Sequence, residues 1–185
     1  INMTKALELE NISYSYPDGI KAIDGINLSV DESESVGLIG PNGAGKTTLL
    51  LVLCGLFKTS GAIKVLGRES NNSNLIEIRR QVGLVFQNPD DQLFMPTVAE
   101  DIAFGPLNMG IGKERLPEMV REALKNVDLA GFEERSPHHL SLGEKKRISL
   151  ATVLVMNPKI LLLDEPTVSL DPRGRREFIE LIHGI

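Results

Sequence analysis

Two stretches of the chain carry residue types suited to a polyphosphate substrate. Gly40-Pro41-Asn42-Gly43-Ala44-Gly45-Lys46-Thr47 fits the pattern Gly-x4-Gly-Lys-Ser/Thr. Glycines at that spacing let the backbone wrap closely enough for successive N–H groups to face phosphate oxygens, and a helix starting behind the loop adds a favourable dipole. The cradle runs from Gly40 to Thr48 and takes in Asn42 and Ala44. In it Lys46 reaches terminal phosphates and the Thr47 hydroxyl is a hard oxygen ligand for Mg2+. The second stretch, Ile160-Leu161-Leu162-Leu163-Asp164-Glu165, reads as a buried strand ending in carboxylates. Asp164 is then the metal carboxylate, and Glu165 the group that polarises an attacking water. Taken singly, the stretches are also a glycine-rich turn and a core strand meeting an acidic loop. Together they describe Mg2+-assisted hydrolysis of a nucleoside triphosphate.

The surrounding pattern predicts elements that place these groups. Val36 to Ile39 is a short apolar run read as a strand entering the glycine loop, and Lys46 to Cys54 has helical composition. Leu7 and Leu9, then Ile26, Leu28 and Val30, alternate with polar residues as two half-buried strands of one antiparallel sheet, with turn chemistry at Tyr16-Pro17-Asp18-Gly19. Ala62 to Val65 and Val82 to Phe86 read as further strands, with a short helix at Leu75 to Arg80. Thr97 with Glu100, and Ser141 with Glu144, form capping boxes for two helices, the second reaching about Met156 before Asn157-Pro158. Leu116, Val120, Leu124 and Val127 mark another helix between them, and Arg175 to Ile182 a final one.

Composition narrows the function classes. The 185 residues hold 20 basic and 25 acidic side chains, a net charge of −5, so no overall positive field favours nucleic acid. The single Cys54 excludes an intrachain disulfide, suits a reducing compartment and reads as a small buried hydrophobe. The longest apolar run, Leu49 to Phe57, is broken by Gly55 and far short of the roughly 20 residues a bilayer span needs. The N-terminus shows no secretory signal pattern. His138 and His139 lack ligand partners at metal spacing, and Asp90-Asp91 reads as a solvated turn.

Leu140-Ser141-Leu142-Gly143-Glu144-Lys145-Lys146-Arg147, ahead of Asp164, resembles the LSGGQ signature of the ATP-binding cassette ATPases, with Leu142 in place of the first Gly and Glu144 in place of Gln. Ser141 opens a helix, so its hydroxyl, the Gly143 amide and the helix dipole make an anion site. The resemblance implies an α/β fold: a P-loop NTPase (RecA-like) core with an N-terminal antiparallel β lobe and an inserted helical lobe. It implies one domain, with 1–87 and 157–185 as core and β lobe and 88–156 as the helical lobe. It also implies ATP and Mg2+ as cofactors and a head-to-tail pair of cassettes, identical or paralogous, in which Ser141 and Gly143 close over the γ-phosphate held by the other subunit. By the same resemblance Tyr16 stacks on adenine, where the plain reading is a turn tyrosine. Gln87 senses Mg2+ and the attacking water, where the plain reading is a loop polar residue. Ser169-Leu170-Asp171 crosses the dimer, where Asp171 also reads as a helix-terminal aspartate before Pro172. The family's switch histidine has no counterpart, since His183 falls in a predicted helix; the sequence is expected to stop short of the family domain's C-terminal end.

Phe86 to Phe94 and Thr97 to Pro106, with Glu144 to Arg147, resemble the ATPases of cobalt or nickel and energy-coupling-factor importers. That branch implies integral membrane subunits docking after Gln87, a place on the inner face of the cell membrane, and a metal ion or vitamin as cargo. A soluble cassette ATPase acting on nucleic acid or protein complexes, a GTPase, and a nucleotide-binding module without turnover are the rival readings.

Overall fold

Leu7 and Leu9 point inward while Glu8 and Glu10 point out, which builds strand β1 (Lys5–Ser15). The alternation breaks after Glu10. Asn11 takes a left-handed φ of 52°, the ladder shifts register between Leu9 and Ile12, and Ile12 turns fully into the core. The turn residues behave as read: the Gly19 N–H donates to the Tyr16 carbonyl (2.9 Å), sending the chain back as β2 (Lys21–Asp31), antiparallel to β1. In β2 the buried apolar residue is Ile23. Ile26 is exposed, and Leu28 and Val30 are half-buried.

The structure, a computed structural model, describes residues 4–185. It falls into two units, one ending at Val82 and one running from Gly83 to Ile185. In the first unit, helix α1 (Lys46–Leu53) follows the glycine loop and strand β3 (Ser60–Val65) joins the other edge of β1. The short β4 (Arg68–Glu69) completes a sheet ordered β2-β1-β3-β4, and α2 (Leu75–Gln81) closes the unit. Leu9, Ile12, Val52, Val65 and Ile78 form its buried centre.

Val36 to Ile39, expected as a strand, forms none and belongs to neither sheet. Its side chains stand exposed, Ile39 at 97%. Apolar composition makes a strand only where a neighbouring strand supplies the ladder, and among the described residues none pairs with this run.

Strand β5 (Val82–Val85), whose first residue is the last of the first unit, and β6 (Ile160–Leu163) lie side by side in a parallel two-stranded sheet. Between them in sequence run α3 (Val98–Asn108), α4 (Leu116–Asn126) and α5 (Leu142–Leu154), and α6 (Pro172–His183) follows β6. Both predicted capping boxes form, Thr97 with Glu100 and Ser141 with Glu144, each N-cap hydroxyl accepting the third amide while the glutamate accepts the N-cap N–H. Ile102, Leu124, Ile148, Leu150 and Phe178 fill the centre of the second unit. Helix α6 starts at Pro172, three residues earlier than the periodicity marks. Asp171 caps it through the Gly174 N–H (2.9 Å), and Pro172 brings a helical φ without needing a hydrogen bond.

Candidate functional site

The candidate residues form two groups, one in each unit. In the first, Gly45 is the N-cap of α1 at φ 86°, and a Cβ there would meet the Ala22 carbonyl oxygen at 2.3 Å. Glycine is therefore required both by the left-handed turn and by the close approach of β2. The Lys46 ammonium folds back over the loop, donating to the carbonyls of Gly40 (2.9 Å) and Pro41 (3.0 Å). Gly43, at φ 80°, makes the other left-handed turn, with Asn42 and Ala44 exposed on either side. Thr47 is exposed and Thr48 buried, and the Thr48 hydroxyl shares a 2.8 Å hydrogen bond with the Tyr16 phenol. This bond sets Tyr16 beside the first turn of α1, with its ring edge-on to Tyr14 and Phe57. Cys54, at the end of α1, is buried and its thiol is pushed up to about 11 by that burial, so it is protonated and inert at neutral pH.

In the second group β6 delivers the carboxylates. Asp164 is buried at 5% exposure, and its N–H donates to the carbonyl of Val85, the last residue of β5 (3.0 Å), carrying the pairing one step past the end of β6. Glu165 follows at φ 41°, a left-handed value that side chains avoid and that collects at functional positions. Its Oε2 accepts from the Gln87 Nε2 at 2.8 Å. The predicted water-activating carboxylate and the predicted sensor amide, 78 residues apart in sequence, are thus in contact. Asp164 and Gln87 each offer a hard oxygen donor of the kind Mg2+ accepts.

Lys146, on α5, is a residue to which no motif gives a role. Its ammonium donates to the Gln87 carbonyl (3.1 Å), and the residue is only 3% exposed. Burial pushes its pKa below the ordinary lysine value, and the Glu165 carboxylate opposes that fall. The Gln92 side chain accepts from the Phe86 N–H (3.1 Å) and donates to the Ser149 carbonyl (2.8 Å) and the Thr152 hydroxyl (2.7 Å). Lys145 pairs with Asp90 at 2.7 Å, so that aspartate is bound to a lysine rather than left as a purely solvated turn. Lys146 lies on the buried stripe of α5 with Ser149, Leu150 and Val153, a position that the polar residue types at 146 and 149 do not announce.

At the start of α5 the Ser141 hydroxyl accepts from the Glu144 N–H (3.3 Å) and bonds the Glu144 carboxylate (2.7 Å). Ser141's hydroxyl and backbone N–H hold the Glu144 carboxyl below the usual glutamate range. Leu142 points outward at 37% exposure, and a Cβ on Gly143 would meet nothing closer than Leu170 at 4.0 Å. Asp171 is the exposed cap of α6. Within the second unit Gln87, Lys146 and Glu165 are brought together, while Ser141, Gly143 and Asp171 sit at helix starts.

The glycine loop, the serine-capped start of α5 and the strand ending in carboxylates follow one another in the order of a known family. The family profile described as ABC transporter matches residues 23–168. The chain belongs to the ABC transporter family. It is 48% identical over 180 residues to the energy-coupling factor transporter ATP-binding protein EcfA of Methanococcus maripaludis, covering 96% of this chain and 65% of that protein. The chain spans about two thirds of the length of the curated relatives it matches. Among solved structures it superposes on cbiO1 of Clostridium perfringens, described as part of the ABC transporter complex cbiONQ. That match has a TM-score of 0.85 at 38% identity, over 97% of this chain and 72% of that one. It also superposes on the ATP-binding cassette MJ0796, solved as a dimer in a post-hydrolysis state with ADP and Pi, with a TM-score of 0.81 at 29% identity, over 95% and 81%. The fold is that of the ABC ATPases, an α/β P-loop NTPase fold, as the motif order implied.

Proposed function

We propose that this chain is the ATP-binding and hydrolysing part of a subunit that energises an ABC-type membrane importer for cobalt or nickel ions or for a vitamin. The observation that carries the hydrolytic reading is the 2.8 Å contact of Gln87 Nε2 with Glu165 Oε2, which joins the amide and the carboxylate expected to handle the attacking water. The Gly40 to Thr48 loop binds the phosphates through its amides, Lys46 leaves its carbonyl partners to bind the terminal phosphates, and Tyr16 supports the base. Thr47, Asp164 and Gln87 would hold Mg2+, which would supply charge neutralisation at the phosphates. Glu165 accepts a proton from, or orients, the lytic water while Gln87 fixes the carboxylate. Ser141 and Gly143 at the start of α5 meet the γ-phosphate held by a second cassette, and Asp171 faces that dimer. Residues 88–156 act as the helical lobe of one cassette domain.

Importer function is supported by the likeness to EcfA and cbiO1. A pair of exposed rings adds to it: Phe94, at 59% exposure, packs edge-on against Phe104 at 5.0 Å, beside exposed Leu107, offering an apolar face to a membrane subunit. No helix among the described residues is long and apolar enough to cross a membrane.

The test is affinity purification from native membranes, with ATP present, using the full-length protein carrying Glu165→Gln as bait. Recovery of multi-spanning membrane proteins is the expected result, and the substrate-capturing subunit among them separates metal from vitamin. Recovery of soluble complexes or nucleic acid alone contradicts the importer reading and favours a soluble ABC ATPase.

A further inference from the structure

Burying a lysine is costly, because its ammonium leaves water for surroundings that solvate it poorly. A helix face made of Ser149, Leu150 and Val153 gives no packing reason for a lysine at Lys146, where an uncharged side chain of the same length would fill the same volume. What the ammonium does is donate to the backbone carbonyl of Gln87 at 3.1 Å, while the side chain of that same Gln87 donates to Glu165 at 2.8 Å. A short line of contacts therefore runs from α5 through Gln87 to Glu165.

The loop is already fastened to α5 on its far side. Gln92 ties Phe86 to Ser149 and Thr152, and Asp90 pairs with Lys145. Those contacts fix where the segment lies, whereas Lys146 acts at Gln87 itself. A carbonyl held by a charged donor orients its peptide plane, and that plane sets the direction in which the Gln87 side chain leaves the backbone.

We propose that Lys146 is a positioning residue for hydrolysis, which from helix α5 holds Gln87 in contact with Glu165. The helix that begins with Ser141 and the loop that carries Gln87 then present their groups as one piece. The proposal rests on the reading that Gln87 and Glu165 serve ATP hydrolysis.

Steady-state ATPase activity of the full-length protein at saturating Mg2+ tests it, with Lys146→Met, Lys146→Arg, Gln87→Ala, the Gln87→Ala/Lys146→Met double variant and Glu165→Gln. Lys146→Met is expected to lower kcat by about 10- to 100-fold, the scale of a displaced catalytic group. KM for ATP should stay within about twofold of the parent, as when an interaction that matters only in the transition state is lost. Lys146→Arg, which restores a charged donor, recovers most of the rate. The double variant is no slower than Gln87→Ala, because Lys146 acts through Gln87. A kcat for Lys146→Met near that of the parent, or a double variant slowed by the product of the two single effects, overturns the proposal while leaving the hydrolytic reading in place. Undiminished turnover by Glu165→Gln overturns both. If Lys146→Met does not fold, Lys146→Gln, whose donor is too short to span the same gap, enters the same cycle with the same two outcomes.

Discussion

Gly45 and Gly43 both sit at left-handed φ in the phosphate loop, yet their surroundings differ. A Cβ at Gly45 would run into the Ala22 carbonyl at 2.3 Å, whereas one at Gly43 would meet nothing within 4 Å. Gly43→Ala is expected to lower stability by about 1 kcal/mol, the cost of a left-handed alanine. Gly45→Ala adds a backbone clash and is expected to cost about 3 kcal/mol. Urea midpoints of the two variants check this, and equal losses would contradict the packing of β2 against the loop. At this scale the sequence was most readable. Lys46, Thr47, Asp164 and Glu165 follow from the two motifs and Gln87 from the family resemblance, and the structure brings Gln87 and Glu165 into contact. Lys146 and Gln92 were not read, because their roles depend on contacts across 59 and 57 residues that no local pattern encodes. Asp101 is a short-range contact that helix spacing does not mark: buried on α3, it accepts from the N–H groups of Phe94 and Met95 (3.0 Å each), seven and six residues before it, and so anchors the segment that carries Phe94.

Helix α5 shows how one element serves stability and chemistry with the same atoms. Ser141 and Glu144 satisfy each other's backbone N–H groups, and that exchange holds the Glu144 carboxyl below its ordinary pKa of 4.5. A carboxyl whose folded pKa is depressed adds stability above its unfolded value and loses it as pH falls through the folded one. Glu144→Ala is therefore expected to cost about 1 kcal/mol at neutral pH, the scale of a lost cap interaction. The cost should shrink as the pH drops below the usual glutamate range. Thermal melts of both proteins from pH 7 to pH 3 measure it, and a gap independent of pH would contradict the role given to Glu144. Element types and order were legible where local chemistry decides them, as in both capping boxes, the turn after Tyr16, and β5 and β6. Val36 to Ile39 was misread because strand formation needs a partner, which composition does not supply. The start of α6 was placed late because its N-terminal turn, Asp171-Pro172, is marked by capping chemistry rather than by apolar spacing.

For the whole molecule, the candidate groups are distributed over two units, each with its own core. The first holds the phosphate loop with Lys46, Thr47 and Tyr16. The second holds Asp164, Glu165, Gln87 and the capped start of α5. The division was not visible in the sequence, whose motifs alternate along the chain without a linker between them. The family was visible, since the order of glycine loop, Gln87, the Ser141 stretch and Asp164-Glu165 is a long-range pattern that single elements lack. The central claim is that this chain binds a nucleoside triphosphate with Mg2+ through its glycine loop, with Lys46 reaching the terminal phosphates. Calorimetric titration of Mg-ATP into the parent and Lys46→Ala proteins tests it most directly. The account predicts that the parent binds and that the variant binds about tenfold more weakly or worse, the scale of one lost charge-assisted hydrogen bond. Equal affinity of the two proteins for Mg-ATP would contradict it.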